Sequence, residues 1–231
     1  MDPADAWRRH AAELAARSTE LFVPSDSEWI AFLPLKERDR RGLSVERTGS
    51  MNTGILERHF RGADQGHLVG SPWRSMPSRM GIPIQLWLGF DVRPESRGPA
   101  AVDVARHSAQ RLVAELREAG LPCLVEDYDG SGNFHVWVLP ELGCLGDWEA
   151  GPWPDAAERW ARGILTRLEL PSGLFAEHLP LPGRHHTFDH WSRFHDGSEW
   201  LDGEDAVRLL LEWQPITVER FRAAIGREAA E

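Results

Sequence analysis

The chain has 231 residues, 42% of them hydrophobic, enough for a sizeable core in one large domain or two modules sharing a sheet. Its net charge of −10 argues against broad electrostatic adhesion to nucleic acid, so any such contact must come from a local patch. Two cysteines, Cys123 and Cys144, neither in a CxxC pair, exclude a four-cysteine zinc site and read as reduced cytoplasmic thiols. No apolar run is long enough for a membrane span, and no signal-peptide core is expected at the start. Lys36 is the only lysine, so the basic charge is almost wholly arginine, which favours forked contacts to phosphate and carboxylate.

In chain order, Asp2 and Pro3 mark an N-cap and a first-turn proline. The apolar stripe Trp7, Ala11 and Leu14 then predicts one helix to about Ser18. Trp29 to Leu35 reads as a short strand or buried extended segment, and Lys36 to Arg41 as a solvated loop. Met51 to Arg61 has the pattern of a short helix with Ile55 and Phe60 inward. Leu68 to Met80, with Arg74 and Arg79 among Gly, Pro and Ser, reads as a loop.

Ile84 to Phe90 predicts a strand ending at Asp91. Pro99 to Ala119 predicts an amphipathic helix with Val102, Ala105, Ala109, Leu112 and Leu116 on one face. Pro122 to Glu126 and Phe134 to Leu139 are two further strands, joined by Tyr128-Asp-Gly-Ser-Gly-Asn133. Helices are expected over Pro154–Leu168, Glu204–Trp213 and Thr217–Ile225.

Three polar constellations stand out. Asp91 closes an apolar strand with Glu95 four residues on, a place where hard oxygen donors can gather round magnesium, or simply a strand-ending turn. Gly130, Ser131 and Gly132 lead into His135. They form either a hairpin turn with a surface histidine or a loop whose free backbone N–H groups could hold a phosphate. Arg184-His185-His186, followed by His190 and His195, has a zinc-like histidine density but lacks an obvious completing cysteine or carboxylate. An arginine after Pro-Gly suits an anion better.

The order Asp at a strand end, amphipathic helix, Gly-x-Gly-x-aromatic-His-x-Trp and Leu-Pro-Gly-Arg-His-His-Thr resembles the archaeo-eukaryotic primases. The branch it looks most like is the primase domain of TOTE conflict systems. The likeness covers residues 56–212, its most specific part being L-P-G-R-H-H-T-F-D-H-W-S-R-F-H-D-G-S-E-W-L-D-G. It implies one α+β primase-like domain over 1–231, with an extension at 1–55 and a closing helical segment at 213–231. An α/β module would pack on a sheet module of the RNA-recognition-motif kind, with the site in the cleft.

The resemblance implies that Asp91 is the first metal-binding carboxylate and that His135, with Gly130, Ser131 and Gly132, meets the nucleotide phosphates. Arg184, His185 and His186 would hold a triphosphate or template phosphate. Magnesium or manganese would be the cofactor, with Glu95 and Glu169 the nearest further carboxylates. A nucleoside triphosphate and a nucleic-acid template would be the partners, beside an encoded helicase or nuclease, in the cytoplasm.

Two departures matter. Arg93 occupies the place of the second metal-binding aspartate, and Tyr128 stands where serine is usual. Two expectations follow: a metal-dependent nucleotidyltransferase, or a degenerate primase-like domain that binds nucleotide or nucleic acid without polymerising.

Overall fold

The computed structural model describes residues 2–23, 28–34, 43–62, 67–70, 73–75, 83–85, 87–96, 98–141, 153–176, 179–185 and 189–228. The architecture is α+β. A five-stranded antiparallel sheet, in the order β11-β10-β7-β8-β6, is built from β6 (Leu88–Val92), β7 (Leu124–Asp127), β8 (Phe134–Val138), β10 (Arg193–His195) and β11 (Trp200–Leu201). A second antiparallel sheet, in the order β2-β1-β3-β9, comprises β1 (Glu28–Pro34), β2 (Leu43–Ser50), β3 (His67–Gly70) and β9 (Leu179–Pro180). A short ribbon pairs β4 (Trp73–Ser75) with β5 (Pro83–Gln85).

Alternation along the five-stranded sheet sorts its side chains into two cores. Leu88, Phe90, Val92, Val136 and Val138 face α4 (Pro99–Glu118), α5 (Trp153–Arg167) and α7 (Val218–Glu228). Helix α4 buries Ala105, Ala109, Leu112 and Leu116, four of the five residues its sequence predicts inward, while Val102 in its first turn is half-buried. On the other face Leu124, Trp137 and Phe194 pack against α1 (Pro3–Arg9), α2 (Ala11–Leu21), α3 (Thr53–Phe60) and α6 (Gly203–Glu212). Tryptophan fills this second core. Trp7 lies 5.8 to 6.3 Å, centroid to centroid, from Phe60, Trp191 and Phe194, and Trp137 lies 4.9 Å from both Phe22 and Trp87. Trp87 also donates from Nε1 to the carbonyl of Phe22 at 3.1 Å.

Several elements differ from the sequence reading. The first helix is two, broken at His10, although Asp2 does cap α1 by accepting from the Ala4 N–H at 3.0 Å. The strand expected over Ile84–Phe90 is also two, since β5 pairs with β4 while β6 joins the large sheet. The stretch read as a loop after Leu68 supplies β3 and β4, and Arg74 lies on β4. Strands β2, β9, β10 and β11 were not expected from the sequence. All are edge strands or two- or three-residue pieces, defined by their partners rather than by local pattern. Lys36, Arg79 and Cys144 lie outside the described residues. No helix among the described residues is long and apolar enough to cross a membrane.

Candidate functional site

The hairpin between β7 and β8 fixes the site. It closes on Tyr128 N–H to Asn133 C=O at 3.0 Å, which sets Asp127 opposite Phe134 and Glu126 opposite His135. On the other side of β8, Asp91 lies opposite His135. Directly opposed residues share a face, so Asp91, His135 and Glu126 form one row across three strands. Phe194 continues the row on β10.

His135 is 1% exposed and held on every side. Its Nδ1 lies 3.0 Å from Oε2 of Glu126, its Nε2 lies 4.0 Å from Oδ1 of Asp91, and its ring stacks on Tyr128 at 4.5 Å. Glu126 is fully buried, and its Oε2 also accepts from Trp137 Nε1 at 2.9 Å, while Oε1 accepts from the Ser192 hydroxyl at 2.5 Å. Three neighbouring donors therefore satisfy a carboxylate that would be costly to bury alone. The sequence reading gave Glu126 no role. The signal available was the hairpin register, since folding back between Gly130 and Ser131 puts residue 126 beside 135.

Asp91 is mostly buried, and its partner is Arg93, two residues on and just past the end of the strand. Arg93 Nε lies 2.7 Å from Asp91 Oδ2, and Nη2 contacts the same oxygen. That hydrogen bond and charge raise the Arg93 pKa above its ordinary value. Asp91 Oδ1 is buried without a hydrogen-bond partner.

The glycine loop corrects an expectation. Its backbone donors are taken up internally rather than left free. Gly130 N–H donates to Asp127 Oδ1 at 2.9 Å, and Ser131 N–H and Asn133 N–H donate to Asp129 Oδ1 at 2.8 and 3.3 Å. Ser131 Oγ and Asn133 Nδ2 donate to the other oxygen of Asp129. Two carboxylates thus occupy the place expected for a phosphate. Gly130 and Gly132 have φ of 71° and 103°, and a Cβ on them would lie 2.8 Å from His190 and 2.9 Å from Val102.

The late motif folds back on itself. Arg184 bridges to Trp191, and His185 N–H donates to the His190 carbonyl at 2.8 Å. His185 is buried, with its ring 4.7 Å from Tyr128, so the row extends through Tyr128 to the late motif. Burial, followed by the carboxylates of Glu126, Asp129 and Asp91, pushes the Tyr128 phenol well above its usual range. Arg184 is half-exposed, with Asp189 at 3.8 Å. His186 lies outside the described residues.

The two further carboxylates are not brought to Asp91. Glu95 is exposed beside a groove lined by Val104 and Ala101 of α4 and also by Arg93, the guanidinium that pairs with Asp91. Glu169 is exposed at the end of α5, with φ of 54°, and its N–H donates to Thr166 C=O as that helix terminates. Among the described residues no three His, Cys, Asp or Glu side chains gather closely enough to hold a metal ion. The donors present therefore do not fit magnesium or manganese, which need several converging oxygens. They do not fit zinc at the late histidines either: His190 Nε2 lies 3.3 Å from Asp127 C=O, and His195 Nδ1 accepts from Gly197 N–H at 3.0 Å.

No protein-family model matches the chain, and no curated protein does. Among solved structures it is similar to the AEP domain of the cyanophage S-2L primase-polymerase, with 11% identity, a TM-score of 0.43, and coverage of 80% of this chain and 89% of that one. It is also similar to the polymerase domain of Mycobacterium tuberculosis ligase D in complex with DNA, with 14% identity, a TM-score of 0.42, and coverage of 100% and 88%. At such overlap neither neighbour gives a residue of this chain its role.

Proposed function

We propose that the chain is a primase-like domain that binds nucleotide or nucleic-acid phosphates without polymerising. The observation that carries this reading is the ion pair between Arg93 and Asp91. A two-metal phosphoryl transfer needs carboxylates that offset cation charge, and here the one aligned carboxylate is already neutralised by a guanidinium. Arg93 keeps 66% of its side chain exposed, and Arg184 keeps 40%. Each guanidinium thus keeps solvent-facing donors that an anion could engage. On this reading the five-stranded sheet is the module of the RNA-recognition-motif kind, and the late Leu-Pro-Gly-Arg-His-His-Thr string supports the likeness to the TOTE-associated branch.

The test pairs binding with extension. Calorimetry with ATP in the absence of divalent metal is expected to show binding by the parent and about tenfold weaker binding by Arg184→Ala, the scale of one charge-assisted contact. Extension of a primed template with magnesium or manganese is expected to be absent in the parent. Robust parent extension that Asp91→Ala abolishes would overturn the reading in favour of a working nucleotidyltransferase.

A further inference from the structure

Glu126 ties together two parts of the chain that the phosphate reading needs in one place. We infer that it is a positioning residue, acting through Ser192 to hold the turn that carries Arg184 in register with the strand that carries His135. The inference rests on that reading only for the ligand; the linkage itself is geometric.

The chain of contacts is short and buried. Glu126 Oε2 takes the proton-bearing Nδ1 of His135 at 3.0 Å, while its Oε1 takes the Ser192 hydroxyl at 2.5 Å. With its hydrogen directed to Glu126, the Ser192 oxygen accepts from Gly183 N–H at 2.8 Å, and Ser192 N–H donates to Gly183 C=O at 2.9 Å. Gly183 is therefore clamped on both its peptide groups by one residue. From the other side His59 of α3 donates from Nε2 to the Pro182 carbonyl at 2.9 Å. Gly183 has φ of 142°, and a Cβ there would meet His59 Nε2 at 2.7 Å, so the turn has no room for a side chain at this point. Arg184 is the next residue, and its backbone bridges to Trp191. One carboxylate thus fixes the ring of His135 and, two hydrogen bonds away, the origin of the Arg184 side chain.

A buried carboxylate inside a sheet need not do this. Its hydrogen bonds could all go to its own strand pair, which would leave the turn independent. Here one oxygen is given to the strand residues Trp137 and His135, and the other to the turn. Sharing between two elements is what couples them.

The experiment is a double-mutant cycle with ATP binding as one readout and amide exchange as the other. Ser192→Ala cuts the link to the turn while leaving His135 and Trp137 their acceptor, and it is the variant measured first because it removes a single oxygen. In the parent, Arg184→Ala is expected to weaken ATP about tenfold. In the Ser192→Ala background the same change is expected to cost clearly less, about threefold, because Gly183 keeps only its carbonyl tie to residue 192 and Arg184 is held less firmly. Exchange of the Gly183 amide is expected to rise more than about tenfold in Ser192→Ala. Glu126→Leu should do the same and also release the fixed Nδ1–H tautomer of His135, read from its ring nitrogen shifts. Additive effects of Ser192→Ala and Arg184→Ala, with Gly183 protection unchanged, would overturn the inference. A parent that fails to bind ATP would sink the ligand reading alone, since the exchange and nitrogen-shift measurements still decide the linkage.

Discussion

The guanidinium of Arg93, just past the end of β6, rests on the carboxylate of Asp91 within that strand, with Nε 2.7 Å from Oδ2. On the proposed reading, this pair is what distinguishes a binding surface from a polymerase-like centre. Arg93→Asp would put two carboxylates on one face at a spacing of two residues, the minimum from which a divalent cation site can be built. The expected outcome is that Arg93→Asp gains Asp91-dependent manganese binding, seen as loss of the free-ion signal by electron paramagnetic resonance, while the parent shows none. Manganese binding by the parent that Asp91→Ala removes would contradict the neutralised-carboxylate account.

Gly130→Ala and Gly132→Ala should each destabilise the fold by about 1–3 kcal/mol, the cost of left-handed backbone plus a steric collision. Gly132 is the more severe case, because its Cβ would meet both methyl groups of Val102 on α4. Urea denaturation measures the change. A neutral Gly132→Ala would mean that the hairpin and α4 move apart readily.

Much of this geometry was legible in the sequence. Strands β7 and β8 and helix α4 carry strong local patterns, and the alignment of Asp91 with His135 follows once their strands pair. What was not legible depends on distant partners. Glu126 looks like the charged end of a short strand until the hairpin register places it beside His135, Trp137 and Ser192. The glycine loop looks like a set of open donors until Asp127 and Asp129 are seen to accept from it. Strands β10 and β11, rich in Arg, His and Trp, have no alternation to read and exist because β7 pairs with them.

Asp129→Ala should loosen that loop specifically. It removes the acceptor for two backbone N–H groups and two side chains, which predicts a loss of about 2–4 kcal/mol. Exchange of the Ser131 and Asn133 amides should accelerate before global unfolding. Unchanged protection there would show that the carboxylate is dispensable to the turn.

Alkaline pH should weaken the fold through Cys123. Burial pushes its thiol up to about 11 from 9.0, so the unfolded chain releases that proton first as pH rises. The stabilisation is complete below about pH 9 and is lost as pH rises from there towards 11. Thermal melts across that window should fall more steeply in the parent than in Cys123→Ala. Parallel slopes would remove Cys123 from the account.

Trp7→Ala should cost about 3–5 kcal/mol, the range for emptying a large aromatic site. Trp7 is fully buried and packs on Phe60 of α3 and on Trp191 and Phe194 of the late motif, two stretches far apart in the chain. Chemical denaturation gives the number, and a loss under about 1 kcal/mol would show that α1 is peripheral to the core.

Tyr128 is the only tyrosine in 231 residues, and its ring lies between those of His135 and His185. Feeding cells a fluorinated tyrosine would therefore place a single reporter nucleus at the centre of the row, with no mutation and no background from the eleven tryptophans. Every anion, metal or oligonucleotide offered to the protein could then be screened by the movement of one resonance.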